Sequence, residues 1–293
     1  MILKFSKVSL DCGGHLNDQE LLRMSPVHHP LMETAMESVV RGAKVLRERF
    51  QTTVRIETKG LANFVTEADL GSEREIVKTI RDRYPYHAII SEESHSDRAD
   101  AKDLWIIDPL DGTSNFMHGI PHFAISVAYY CDGQPELGIV FNPIRDDWYV
   151  AVRGQGAWHN GVRQRVEATD RIDATMITCG FYYDRDRMMQ ATLDTIGDFF
   201  RNNIHGMRRF GAAALDLCNV GCGQYGLFFE YKLHPWDYAA GQIFLAEAGG
   251  QATDCNGLSL PLHQSSSICA TNGHLHRQTL EIIEPHWKRL CAG

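Results

Sequence analysis

The chain has 293 residues, 44% hydrophobic and 23% charged, with a formal net charge of −8. That is chain and apolar content enough for a real core, while the acidic balance argues against the basic footprint of direct nucleic-acid binding. No apolar run reaches the ~18 residues of a membrane-spanning helix, so no membrane partner is expected.

Residues 1–23 hold two lysines, several acids and Gly13-Gly14 but no apolar segment, so neither a secretory signal nor a transit peptide fits. They read as an N-terminal extension, with Met24 as an alternative start. His28-His29 lacks a supporting acid and reads as surface. The eight cysteines include no C-x-x-C pair and read as free thiols of a reducing compartment; the expected location is the cytoplasm.

Between Leu31 and Phe50, Met32, Met36, Val39, Val40, Ala43 and Leu46 recur at helical spacing, and Pro30 sits where a helix start tolerates it. Thr53 to Thr58 alternates as a strand, and Lys59-Gly60 turns the chain. Ile76, Val77 and Ile80 mark a helix ending before Pro85. Thr66 and Asp69 lie near its start, where Asp69 alone reads as a cap. Ala88-Ile89-Ile90 is a short buried strand running into Ser91-Glu92-Glu93-Ser94. Trp105-Ile106-Ile107 is another, running into Asp108-Pro109-Leu110-Asp111 and then the helix-start residues Gly112-Thr113-Ser114-Asn115. Carboxylates at the ends of buried strands are costly without a positive partner. If both strands end at one sheet edge, their acids converge and a divalent cation can hold them. Backbone N–H groups at the adjoining helix start suit an anion. Metal and anion together point to phosphate.

Ile120 to Tyr130, Gly138 to Phe141 and Trp148 to Val152 read as three strands joined by Asp132-Gly133 and Asn142-Pro143, an antiparallel meander. Gly154 to Gly161 adds turn signals. A softer stretch, Gln164 to Asp173, joins two halves, 24–168 and 169–293. The second half reads as a strand at Thr175 to Cys179, a helix at Arg187 to Phe200 and a small-residue helix at Ala212 to Cys218. Tyr225 to Phe229 is a buried strand followed by Glu230. A helix from His234 through Ala246, with Gly249-Gly250 just past its end, then carries Asp237 in its first turn. Ser267 to Ala270 and His276 to Ile283 complete the pattern.

Asp108-Pro109-Leu110-Asp111-Gly112-Thr113-Ser114-Asn115-Phe116 resembles the D-P-[IL]-D-G-[ST]-x-N-[FY] signature of the inositol monophosphatase family. Trp236-Asp237-Tyr238-Ala239-Ala240-Gly241 with Glu247-Ala248-Gly249-Gly250 resembles its second signature. Ser91-Glu92-Glu93-Ser94 is similar to the family's G-E-E-S element, with serine for glycine. Lys59-Gly60 and Val65-Thr66-x-x-Asp69 match a further element, in which Asn63 replaces the usual Asp.

The resemblance implies a layered α-β-α-β-α sandwich of the α+β class and a magnesium-dependent, lithium-sensitive phosphomonoesterase. Two to three Mg²⁺ per site are implied: Glu92, Asp108 and the Leu110 carbonyl for the first, Asp108, Asp111 and Asp237 for the second, Asp69 and Glu92 for a weaker third. Glu92, Thr113 and Asp69 would be the catalytic groups that activate a water for in-line attack, without a covalent phosphoenzyme. Asp111, Gly112, Thr113, Gly211, Ala213, Glu230 and Asp237 would bind substrate. The implied substrate is a small phosphorylated polyol, myo-inositol 1-phosphate first, with histidinol phosphate, fructose 1,6-bisphosphate, NADP and adenosine 3′,5′-bisphosphate as alternatives. A homodimer is implied. Some bacterial relatives associate with the transcription machinery, which is the non-enzymatic alternative.

Overall fold

The computed structural model describes residues 29–52, 56–60 and 63–292, with 56–60 and 63–65 described by their backbone alone. The expectations for 1–23, Met24, His28, Cys12, the strand start at 53–55 and the side chains of Lys59, Asn63 and Val65 lie outside the described residues.

The chain runs α1 (Met32–Arg49), β1 (Ile56–Gly60), β2 (Asn63–Thr66), α2 (Glu67–Arg83), β3 (Ala88–Ser91), β4 (Asp103–Asp111), α3 (Thr113–Met117), β5 (Ala124–Cys131), β6 (Gln134–Asn142), β7 (Asp147–Val152), β8 (Gly156–His159) and β9 (Val162–Gln164). It continues with β10 (Met176–Cys179), α4 (Arg187–Arg201), β11 (Gly206–Arg208), α5 (Ala213–Gly221), β12 (Leu227–Leu233), α6 (Pro235–Glu247), β13 (Gln251–Thr253), β14 (Ser266–Thr271) and α7 (His276–Cys291). One sheet has the order β3-β4-β5-β6-β7-β8-β9 and another the order β11-β10-β12-β14-β13. In the first, β3 and β4 are parallel and every later neighbour is antiparallel.

Strand alternation builds the layers, because successive side chains leave opposite faces of a sheet. Trp105 and Ile107 pack with α1 and α2 through Met36, Leu46 and Ile76. Leu104 and Ile106 face the other way, onto Ala214 and Cys218 of α5 and Ala240 and Phe244 of α6. The far sides of α5 and α6, Leu217 and Leu245, pack on Phe228 and Ile268 of the second sheet. Its remaining face, Ile177, Leu227 and Phe229, meets Phe199 of α4 and Ile283 of α7. The result is the α-β-α-β-α sandwich. Small residues set the spacing: a Cβ on Gly138 of β6 would stand 2.7 Å from the Ala240 carbonyl of α6.

Several local readings change. The turn signals hold at 153–155 and 160–161, but Gly156 to His159 between them is strand β8, paired on to β9, so the sheet continues through them. Strands β11 and β13 are three residues each, too short to show a period in sequence. Glu230 lies inside β12, not after it, and α7 continues through Pro285 to Cys291. His29 is half-buried against Tyr129 instead of surface-exposed, with ring centroids 5.7 Å apart.

Candidate functional site

The two acid-terminated strands are parallel neighbours, with Ser91 opposite Ile107, so their carboxyl ends meet at one edge. The Glu92 N–H donates to the Ile107 carbonyl at 3.2 Å, tying the first acid to the second strand. In a regular strand Asp108 and Asp111, three apart, would face opposite sides. The register against β5 shifts between them: Asp108 opposes Ser126 and Asp111 opposes Ala124. One extra residue on β4 is a β-bulge, and it turns both acids to one side. Pro109 has no N–H to lose there, and its carbonyl accepts the Ser72 hydroxyl of α2 at 3.0 Å.

Glu92, Asp108 and Asp111 line a cavity of about 250 Å³, joined by Asp237 from the first turn of α6. Burial raises the Asp108 carboxyl well above the usual range, and the charges of Glu92, Asp111 and Asp237 raise it further. Asp237 is raised in the same way, by burial and then by Glu92 and Asp111. Burial pushes Asp111 up to about 7, against the pull of two backbone N–H groups and Arg209. These groups crowd one another, yet among the described residues no three acids, cysteines or histidines stand as a ready-made metal cage. Their oxygens are instead held by backbone donors. The Leu110 N–H reaches Asp108 Oδ1 at 2.9 Å, the Ala213 and Ala214 N–H groups reach Asp111 at 3.2 and 2.8 Å, and the His234 N–H reaches Asp237 at 2.6 Å. An all-oxygen, mutually repelling donor set fits hard divalent cations such as Mg²⁺.

Gly112 turns the chain from β4 into α3 with φ +94°, where a Cβ would also press on the His122 carbonyl at 3.2 Å. Thr113 follows, and its hydroxyl lies 3.0 Å from Asp69 Oδ1 and 3.1 Å from the Leu110 carbonyl. Asp69 is fully buried as the third residue of α2, in a capping box with Thr66. Its Oδ2 accepts the Thr66 N–H at 2.8 Å and hydroxyl at 2.5 Å. The cap reading is thus met, and the same carboxyl reaches Thr113 through its other oxygen. Asp69 does not line the cavity itself; Thr113 stands between.

Leu110, Gly112, Thr113, Gly211, Ala213 and Glu230 all line the same cavity. Burial pushes Glu230 up to about 8, with Arg209 opposing and Asp111 adding to the rise. Gly180 makes room for it: a Cβ there would lie 1.7 Å from Glu230 Oε2. Gly211, at φ +81°, lets the Arg209 side chain pass, since a Cβ would stand 2.5 Å from its guanidinium. Asn115 fixes this loop by donating to the Phe210 carbonyl at 2.8 Å and the His122 carbonyl at 2.7 Å. Arg209, Asp216, Gly180, Tyr183 and Lys232 line the cavity without having been singled out in sequence. None of them breaks a local pattern in sequence: even Arg208-Arg209-Phe210-Gly211 is an ordinary basic pair before a glycine.

The family model of the inositol monophosphatase family matches residues 28–288. The Nus factor SuhB of Escherichia coli strain K12 is 38% identical over 232 residues, covering 78% of this chain and 86% of that protein. Extragenic suppressor protein suhB from Bartonella henselae is similar in structure at a TM-score of 0.81 and 32% identity, covering 87% of this chain and 98% of that one. Thermotoga maritima IMPase gives a TM-score of 0.81 at 30% identity, covering 89% of this chain and all 100% of that one. With the two signatures folded onto one cavity and the match running nearly end to end, the chain belongs to the inositol monophosphatase family.

Proposed function

We propose that this protein is a Mg²⁺-dependent phosphomonoesterase acting on a small phosphorylated polyol, with myo-inositol 1-phosphate as its substrate. The observation that carries the reading is the gathering of Glu92, Asp108, Asp111 and Asp237 on one cavity beside the glycine turn at Gly112-Thr113. Mg²⁺ ions held by Glu92, Asp108, the Leu110 carbonyl, Asp111 and Asp237, with Asp69 contributing from behind Thr113, would supply Lewis acidity to the phosphoryl group and to a water. The chain's own groups do the rest. Thr113 orients the attacking water and hands a proton toward Asp69, its hydrogen-bond partner. Glu92 is the second proton acceptor at that side. The Gly112 and Thr113 N–H groups hold the phosphate oxygens. Glu230 accepts a hydroxyl of the leaving alcohol, while Gly211 and Ala213 leave it room.

A phosphate-release panel with Mg²⁺, with and without lithium, tests this over inositol 1-phosphate, histidinol phosphate, fructose 1,6-bisphosphate, NADP and adenosine 3′,5′-bisphosphate. Asp111→Asn or Glu92→Gln is expected to cut turnover by about 10²–10⁴-fold. Full Mg²⁺-dependent activity in Asp111→Asn would sink the site assignment, and dominance of histidinol phosphate would sink the substrate. The Nus-factor name of the Escherichia coli relative favours a second role, association with the transcription machinery. Co-purification with RNA polymerase that persists in Asp111→Asn would separate that role from catalysis.

A further inference from the structure

Asp216, in the first turn of α5, is about 1% exposed and lines the candidate site's cavity together with Glu230 and Arg209. Its Oδ1 is buried and has no hydrogen-bond partner. Packing does not account for it. Apart from Asn219 its helix is otherwise apolar, with Ala214, Leu215 and Cys218 on the first sheet's side and Leu217 and Val220 on the second's. A buried acceptor left open is a standing loss to the fold unless something else fills it.

We propose that Asp216 is a specificity-determining residue whose cavity-lining carboxyl accepts a hydrogen bond from a hydroxyl of the leaving alcohol, so that Asp216 and Glu230 together recognise a polyhydroxylated substrate. This rests on the phosphomonoesterase reading above. Two carboxyls on one cavity match an alcohol with at least two free hydroxyls beyond the ester oxygen; a simple alkyl phosphate offers neither. Arg209 is close enough to Asp111, Glu230 and Asp216 to oppose the rise of all three. It offsets their charge and so favours neutral hydroxyls over an ammonium group.

The test compares kcat/KM for myo-inositol 1-phosphate and for ethyl phosphate in the wild type, Asp216→Ala and Asp216→Asn. The ratio of the two is expected to fall about tenfold in Asp216→Ala, mainly through KM, and less in Asp216→Asn, which keeps an acceptor oxygen. Thermal melts run alongside: Asp216→Ala should melt no lower than the wild type, because an unmet acceptor is removed. A proportional fall for both substrates, or a lower melting point with an unchanged ratio, overturns the proposal. If the wild type releases phosphate from neither compound, the phosphomonoesterase reading fails by itself. Asp216 is then judged by the thermal shift that free myo-inositol induces. A wild-type shift lost in Asp216→Ala supports it, and equal shifts, or none in the wild type, overturn it.

Discussion

Asp108 shows how one side chain can oppose the fold that carries it. It is about 1% exposed, and its carboxyl is raised by burial and by three neighbouring acids. Replacing it with Asn keeps the oxygen that accepts the Leu110 N–H and removes a charge that repels its surroundings. In metal-free protein Asp108→Asn should therefore raise Tm by about 2–4 °C, while the extra stabilisation conferred by Mg²⁺ disappears. Paired melts in EDTA and in Mg²⁺ check both halves; a lower Tm in EDTA contradicts the repulsion. Glu92, Asp108, Asp111 and Glu230 were legible in sequence because each is a charge closing an apolar run, whereas Asp69 and Asp237, ordinary acids of a helix start, stood out only through the family signatures. Arg209 and Asp216 broke no local rule, since a basic pair in a loop and an acid in a helix's first turn are ordinary. Their importance appears only when the cavity closes around them.

At the level of elements, position is set by what each strand or helix leans on. The loop bearing Glu92 is held by Glu73 of α2, whose Oε1 accepts the Ser91 hydroxyl at 2.8 Å, the Ser94 hydroxyl at 2.5 Å and His95 Nδ1 at 2.7 Å. Ser91, the departure from the family's glycine, is one of those donors. Glu73→Gln should weaken Mg²⁺ affinity by about 10–100-fold, the scale of losing an outer support of a ligand, read by titrating Mg²⁺ against Tm; an unchanged titration removes Glu73 from that role. Helix α6 is placed by Gly138, where the facing atom is backbone and cannot swing aside. Gly138→Ala should cost about 1–3 kcal/mol in a urea melt, and it should weaken Mg²⁺ binding because Asp237 rides on that helix. Normal Mg²⁺ binding in a destabilised variant would confine Gly138 to packing. The periodic helices and the meander were readable from spacing alone; β8, β9, β11 and β13 were not, because strands of three or four residues are too short to show a period.

Across the whole molecule the two larger sheets are joined through the site. Asp111, on the first sheet, accepts the N–H groups that open α5, and α5 with α6 fills the space between the sheets. Burial in that space makes the folded protein hold protons on acids that the unfolded chain would release: Asp111 is pushed up to about 7 and Glu230 to about 8, both above their unfolded values near 4. Groups raised on folding favour the folded state at low pH and lose that contribution as pH climbs through the raised values. Metal-free Tm should fall between about pH 5 and about pH 8.5, and the stabilisation by Mg²⁺ should grow over the same window, because the cation must displace those protons. Melts in EDTA and in Mg²⁺ across that range check it; a metal-free Tm that rises instead reverses the sign. The chemistry available is written locally in the chain, because acids after buried strands, glycine at the turn and a helix start are local patterns. Which of those groups share a cavity is set by the packing of distant elements. The bulge turning Asp108 and Asp111 to one side, the parallel pairing that sets Glu92 beside them, and the approach of α5 and α6 with Asp216 and Asp237 all depend on contacts between residues far apart in the chain.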